Sequence, residues 1–217
     1  AALAAQGLHA ESAETYEQIA ALQPDSASAL VELGSQQVVA GEVDAGIERL
    51  QAAVALEPDN LAARERLLEA LLELEDYEAA AAAAEAYVAQ APESARAAVY
   101  RGRVLMLQEQ LEDARVSFAR ALALEPGNTS ASAGMAALAA FEKDFESAAA
   151  SLQSALDANP GDLVTSMNLA VLHEQAGDMQ AMADVLNMAM EANPLAPEPR
   201  LALARLALSE GESVEAI

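Results

Sequence analysis

The sequence predicts an all-α solenoid built from helical pairs, and three observations support this fold class. Six prolines, from Pro24 to Pro194, stand at a constant interval of 34 residues. A side chain that can cap a helix follows five of them by two positions. The segments between are rich in alanine, with 53% hydrophobic but only 3% aromatic residues, and show no strand-like alternation. Units of this length bury their apolar faces by stacking on their neighbours, so we expect one continuous array of helices.

The first helix of each repeat is expected to begin at a capping residue. The side chains two positions after the prolines can accept hydrogen bonds from the open amides of a first helical turn. These residues are Ser26, Asn60, Ser94, Asn128 and Asp162. At the sixth junction Ala196 takes this place, but Pro197 suits a first helical turn and Glu198 complements the helix dipole.

A second break lies seventeen residues before each proline and divides the repeat into two helices. Glycine or a polar residue marks it, at Gly7, Gly41, Glu75, Glu109, Lys143 and Gly177, and Gly211 continues the series. Twelve residues before the prolines, small side chains let the two helices cross closely. They are Ser12, Gly46, Ala80, Ala114 and Ala148, with Ala216 at the same place. Met182 departs from this pattern and predicts a wider or repacked crossing.

This pattern resembles the tetratricopeptide repeat, a helix-turn-helix unit of 34 residues. The matching residues are Gly34, Gly102, Ala136 and Ala170 at the small site of the first helix, Leu33, Leu67 and Leu169 before it, Tyr16 and Phe118 at the aromatic site, and Ala53, Ala121, Ala155 and Ala189 at the next small site. The usual tryptophan of the first helix is missing throughout. Leu68 stands where a small residue is usual, and Arg101 where leucine is usual.

The resemblance implies a right-handed superhelical α-solenoid that forms a single domain over residues 1–217. By register, the whole repeats are 27–60, 61–94, 95–128, 129–162 and 163–196, with partial repeats at 1–26 and 197–217. Residues 1–6 and 213–217 fall within incomplete helices, which predicts a fragment of a longer array. Exposed stacking faces at such ends predict end-to-end self-association.

The charge of the chain restricts its partners. Thirty-five acidic and eleven basic residues give a net charge of −24, which repels nucleic acid and anionic lipid surfaces. The acidity indicates either a solvated surface or a basic ligand. We expect no membrane insertion, since no apolar run reaches about 18 residues. The absence of cysteine excludes disulfides and thiolate sites but does not distinguish cytoplasm from periplasm.

Residues for catalysis are scarce, so the sequence predicts a protein that is not an enzyme and needs no cofactor or metal. The only histidines are His9, in a turn, and His173, on a first helix where a packed imidazole is expected. Neither belongs to a nucleophile–base pair or to a spacing typical of metal ligands. No glycine-rich phosphate loop occurs.

The resemblance also implies that first helices line a concave groove that accepts an extended or helical segment of a protein partner. By register, the groove residues are Val31, Ser35, Glu65, Glu69, Arg96, Arg103, Met106, Met167 and Val171, together with Val38, Val99, Ala133, Ala137 and Arg205. The groove is expected to be acidic in repeat 61–94, basic in repeat 95–128 and apolar in the two that follow. A chaperone-tail clamp is not expected, because the single lysine, Lys143, lies at a turn.

Two features of the groove have alternative interpretations. Arg96 and Arg103 lie seven residues apart on one helical face, so they could bind a partner's carboxylate or could pair with Glu65 and Glu69 of the preceding repeat. The methionines between Met167 and Met190 could form an adaptable binding surface or fill gaps in an alanine-rich core.

The function that best fits these residues is a non-catalytic scaffold for protein–protein interaction. Val31, Met106, Met167 and Val171 would supply apolar contacts, and Arg96 and Arg103 polar anchors. Two other roles stay open. Asn193–Gly211 is similar to repeats of bacterial envelope proteins that assist exopolysaccharide export, which indicates an accessory region of an export or assembly system. The chain could also be the non-catalytic part of a larger enzyme such as a glycosyltransferase.

Overall fold

The computed structural model describes residues 14–23 and 25–209, and all regular elements in these ranges are α-helices. Helix α1 is described over residues 14–22. The others are α2 (Ala27–Ala40), α3 (Val43–Leu56), α4 (Leu61–Glu73), α5 (Tyr77–Gln90), α6 (Ala95–Leu107), α7 (Leu111–Leu124), α8 (Thr129–Phe141), α9 (Phe145–Ala158), α10 (Leu163–Ala176), α11 (Met179–Ala192) and α12 (Glu198–Ser209). The all-α fold and its pairing of helices are therefore confirmed.

The chain forms two compact units, residues 1–110 and 111–217. Even-numbered helices are the first helices of the repeats, and odd-numbered helices are the second helices. Expectations for residues 1–6, Gly7, His9, Ser12, Gly211 and 213–217 lie outside the described residues. None of the described helices has the length and apolar character that crossing a membrane requires.

The predicted caps begin five first helices. Oxygen atoms of Ser26, Asn60, Ser94 and Asn128 accept hydrogen bonds from the amide three residues later, at 2.9–3.3 Å. Asp162 accepts from the amide of Val164 at 3.2 Å. Second helices have caps of their own, which the sequence analysis did not predict. Asp76, Asp144 and Asp178 each accept from an amide at 3.0 Å, three residues onward.

The turn between the two helices of a repeat uses the left-handed backbone region. Gly41 and Gly177 have φ values of 94° and 77°. Glu75, Glu109 and Lys143 occupy the equivalent positions with φ values of 60°, 61° and 62°. Since glycine alone reaches this region without steric cost, the turns at Glu75, Glu109 and Lys143 hold locally strained residues. All five predicted breaks within the described residues therefore end a helix.

Small residues bring the paired helices together in each unit. Gly34 and Gly46 face each other across α2 and α3, where a Cβ on Gly46 would lie 2.7 Å from the carbonyl oxygen of Gly34. Ala80 and Ala148 are fully buried at the same register. Where the small residue is missing, Met182 is buried against Ala170, Leu186 and Leu203, so its larger side chain is accommodated within the core of the second unit.

Candidate partner-binding surface

In the first unit, two carboxylates of α4 organise the surface of the first helices. Glu65 accepts a hydrogen bond from the Tyr87 hydroxyl at 2.7 Å through Oε1, and one from Arg96 at 3.0 Å through Oε2. The Glu65 side chain is 18% exposed and that of Arg96 is 72% exposed. Arg96 therefore ties α6 to α4 while most of its side chain is exposed.

Glu69 lies one helical turn further along the same face and is held in a similar way. Its Oε1 accepts from the Tyr100 hydroxyl at 2.9 Å, and its Oε2 accepts from Arg66 at 3.0 Å. The guanidinium carbon of Arg103 lies 5.5 Å from the centroid of the Tyr100 ring, a cation–π contact. We call Glu65, Glu69, Tyr87, Arg96, Tyr100 and Arg103 the arginine–tyrosine cluster.

Burial and hydrogen bonds to the carboxylates raise the pKa of both tyrosine hydroxyls, which therefore stay protonated well above neutral pH. Burial and the hydrogen bond to Glu65 raise the pKa of Tyr87 to about 12. Burial and the hydrogen bond to Glu69 raise the pKa of Tyr100 as well. The charge of Glu65 raises the pKa of the Arg96 guanidinium. The hydroxyls therefore act as fixed donors that occupy one oxygen of each carboxylate at neutral pH.

The two predicted arginines behave differently. Arg96 pairs with Glu65, as one of the two sequence interpretations expects. Arg103 instead stacks on Tyr100, and no described carboxylate forms an ion pair with it. Arg101, at a position where leucine is usual, pairs with Glu85 of α5 at 2.6 Å. The guanidinium of Arg103 therefore keeps its hydrogen-bond donors available in this unit.

The remaining predicted residues of the first unit contribute less surface. Val31 is half-buried, and the Ser35 hydroxyl donates to its carbonyl at 2.7 Å. Met106 is also half-buried. Val38 and Val99 are buried in the protein core, so placing them on the open surface is wrong. Their helices turn these two positions toward neighbouring helices instead of toward solvent.

In the second unit, the first helices present apolar side chains. Val164, Met167 and Val171 follow one face of α10, and Leu201, Arg205 and Leu208 follow one face of α12. Val171 is 46% exposed, and Val164, Leu201 and Leu208 are also exposed. Exposed apolar side chains that line up on first helices form a patch of the kind found at interaction sites.

A hollow of about 520 Å³ lies within this apolar region, between α10, α11 and α12. We call it the methionine hollow, because Met167, Met179 and Met182 line it with Val171 and Arg205. Met167 is half-buried there and packs against the core, as the gap-filling interpretation expects. A second hollow of about 250 Å³ lies between α8 and α10. Ala133 and Ala137, which the sequence placed in the groove, line this hollow.

Several residues of these surfaces were missed by the sequence analysis. Tyr87 and Tyr100 complete the cluster, and Phe141 and Leu201 are exposed apolar residues on first helices. For Tyr100, the signal was its place four residues after Arg96 on the same helix. Among the described residues, no group of three acidic or histidine side chains could hold a metal ion. His173 is half-buried on α10.

A family model described as tetratricopeptide repeat matches residues 32–95, 66–131 and 134–197, which is more than half of the chain. No curated protein matches the sequence. Among solved structures, a tetratricopeptide repeat protein from Parabacteroides merdae is 16% identical with a TM-score of 0.70, covering 96% of this chain and 83% of that one. A thermophilic TPR protein of Thermus thermophilus is 20% identical with a TM-score of 0.68, covering 84% of this chain and 100% of that one.

A third similar structure is YrrB, a TPR protein described as having an unusual peptide-binding site. It is 18% identical with a TM-score of 0.54, and the match covers 88% of this chain and 98% of that one. At these identities the three structures show the same fold. Together with the family match over most of the described helices, they establish that the chain belongs to the tetratricopeptide repeat family.

Proposed function

We propose that the chain is a non-catalytic scaffold that binds a segment of a partner protein against the first helices of its repeats. Repeat arrays of this family generally serve as interaction scaffolds, because stacking leaves an extended surface that the fold itself does not need. The observation that carries the proposal is the exposed apolar face of α10 and α12 beside the methionine hollow.

The methionine hollow suits an apolar side chain of the partner. Met167, Met179 and Met182 have flexible thioether side chains that can adjust to different shapes. Glu174 and Arg205 also line the hollow and supply one charge of each sign for orientation. An amphipathic helix or an extended segment would place apolar anchors there and polar groups at the edge.

The arginine–tyrosine cluster of the first unit is proposed as a separate polar anchor. Both oxygens of Glu65 and both oxygens of Glu69 already accept hydrogen bonds. The donors that remain for a partner are on the exposed guanidinium groups of Arg96 and Arg103, and guanidinium groups bind carboxylates strongly. We expect a partner's acidic side chain or carboxyl terminus at this place.

The proposed binding to the apolar surface is tested with two exposed valines, one on a first helix and one on a second helix. Val171 lies on first helix α10, whereas Val116 lies on second helix α7 and is 63% exposed. A partner is first captured from the native source and purified, and its affinity is then measured by calorimetric titration. We expect Val171→Asp to weaken binding about tenfold or more, and Val116→Asp to leave it unchanged. Equal effects of the two substitutions would reject the first-helix surface.

The polar anchor is tested in the same titration with arginines on the two kinds of helix. Arg103→Ala should weaken binding, because it removes donors that face solvent above Tyr100. Arg49→Ala on second helix α3 is the matched control and should bind as the parent does. Full affinity of the Arg103→Ala protein would remove the cluster from the proposal and leave the apolar surface standing.

A further inference from the structure

A separate hollow of about 290 Å³ lies between second helices α9 and α11 and one residue of first helix α10, and none of its residues lines the surfaces described above. Its lining is Gln153, Leu156, Asp157, Pro160, Ser166, Val185 and Met188. We call it the proline hollow. A volume of this size corresponds to about ten water molecules, which is enough for one long side chain.

The proline hollow has apolar walls and a polar edge. Leu156, Val185 and the 63% exposed Met188 form the walls. At the edge, Gln153 donates to Oδ1 of Asp157 at 3.0 Å, and no described residue donates to the other carboxylate oxygen. The Ser166 hydroxyl is turned back to its own helix, where it donates to the Asp162 carbonyl at 2.9 Å. Acceptor groups therefore dominate the edge.

Two other repeats of the same chain have an arginine at the register of Ser166. Ser166 stands 34 residues before Arg200, and Arg64 holds the same register three repeats earlier. Arg64 donates to the Pro58 carbonyl through Nε and Nη2, at 2.9 and 2.8 Å. Arg200 donates to the Pro194 carbonyl through Nη2 alone, at 2.5 Å, while its Nη1 donates to the Ala196 carbonyl at 3.0 Å. In both repeats an arginine side chain reaches the carbonyl of the proline that ends the preceding repeat.

The repeat of Ser166 lacks this arginine, as do the repeats of Ala98 and Ser132 at the same register. Pro160 is the equivalent proline, and among residues 14–23 and 25–209 none donates a hydrogen bond to its carbonyl. A short serine at this register therefore leaves both an open hollow and an unused acceptor. Asp157 adds a negative charge at the edge of the hollow, within a chain whose net charge is −24.

We propose that the proline hollow binds an arginine side chain of a partner protein. The methylene groups of the arginine pack along Leu156, Val185 and Met188, and its guanidinium donates to the Pro160 carbonyl and to the Asp157 carboxylate. A guanidinium fits because it has five donors and an apolar stem, whereas an aromatic ring would leave at least one of these acceptors unused. This interaction is independent of the proposed binding to the first helices, since the two surfaces share no residue.

The test uses two blocked peptides, Ac-GARAG-NH2 and its counterpart with neutral citrulline in place of arginine. Binding to the full chain is followed by NMR of ¹³C-methyl methionine, with the Met188 signal assigned from the Met188→Leu variant. We expect the arginine peptide to shift Met188 saturably and Met106 not at all, and the citrulline peptide to bind at least about tenfold more weakly. Equal affinity of the two peptides would overturn the proposal.

Three variants locate the binding. Ser166→Arg should fill the hollow from within, by reaching the Pro160 carbonyl as Arg64 reaches that of Pro58, and abolish the Met188 shift. Asp157→Asn should weaken binding about three- to tenfold, because it removes the charge that pairs with the guanidinium. Asp184→Asn is the matched control, since Asp184 of α11 accepts from Gln180 in the way that Asp157 accepts from Gln153. The control should bind like the parent.

Three results would contradict this arrangement. If Asp157→Asn and Asp184→Asn bind alike, the edge of the hollow is not the site, and this comparison stands even when Ser166→Arg does not fold. If N-acetyl-tryptophanamide shifts Met188 and the arginine peptide does not, the occupant is aromatic. If the protein alone forms a dimer that Ser166→Arg abolishes, the hollow contacts a second copy of the chain. Val171→Asp should leave arginine binding intact, which separates this proposal from the proposed function.

Discussion

Gly134 of α8 offers a sharp test of how tightly the second unit is packed. The ring of Phe118 from α7 is fully buried and lies directly against this glycine. A Cβ atom at residue 134 would lie 2.4 Å from Cζ of Phe118, and 2.5 and 2.6 Å from its two Cε atoms. Because atoms cannot approach this closely, Gly134→Ala must displace the ring or separate the two helices.

Two opposing effects set the magnitude. Alanine is favoured over glycine in a helix by about 1 kcal/mol. Overpacking of a dense core costs about 1–3 kcal/mol, and a clash with three ring atoms places Gly134→Ala near the upper end of this range. We therefore expect the free energy of unfolding to fall by about 1–2 kcal/mol in the single variant.

A double-mutant cycle in urea unfolding separates the clash from other effects. Phe118→Leu alone leaves a cavity and lowers stability. In that background the ring is gone, so Gly134→Ala should raise stability by about 1 kcal/mol through helix propensity. The expected coupling between the two substitutions is then about 2 kcal/mol or more. A stabilised Gly134→Ala single variant, or strict additivity, would show that the ring does not occupy the place described.

Three further predictions concern packing, turns and pH. Ala114→Leu should lower the free energy of unfolding by about 1–3 kcal/mol, because Ala114 is fully buried. A thermal midpoint at or above that of the parent protein would contradict the predicted register. Because residues 41 and 75 both have positive φ, Gly41→Ala should lower the free energy of unfolding by about 1 kcal/mol and Glu75→Gly should raise it by up to about 1 kcal/mol. Changes of the opposite sign in urea unfolding would refute this. The raised pKa of Tyr87 contributes stability that is complete below pH 10.0 and is lost as the pH rises through about 12. The Tyr87→Phe protein should therefore lose less stability than the parent protein between pH ~9 and ~11. Identical pH profiles of the two proteins would contradict the hydroxyl–carboxylate bond.

The backbone of the repeat could be predicted from the sequence because its signals are local. The caps at Asn60 and Asn128 act on an amide three residues away, and the break at Glu109 lies at a fixed distance from its proline. A constant interval places such signals in phase, so one interpreted repeat applies to the others. Predicting the helical pairs therefore required no knowledge of contacts between residues distant in the sequence.

The side-chain partners across repeats could be predicted only in part. The pairing of Arg96 with Glu65 was one of two stated alternatives, since both lie on equivalent faces of neighbouring first helices. The bond from Tyr87 to Glu65 was missed, because Tyr87 lies on a second helix and its reach depends on how α5 crosses α4. Val38 and Val99 show the same difficulty, since helical register alone does not say how far a neighbouring helix covers a face. Self-association and a role in envelope export stay predictions.

The hydroxyl–carboxylate bonds of the first unit have a consequence for local opening of its helices. Helices α4 and α6 are joined by Tyr100 to Glu69 and by Arg96 to Glu65, while Tyr87 fastens α5 to the same carboxylate. Separating α6 from α4 must break these links together with the apolar contacts beneath them. We expect amide hydrogen exchange in α4 and α6 to occur through one shared opening event, whereas helices without such links exchange one at a time.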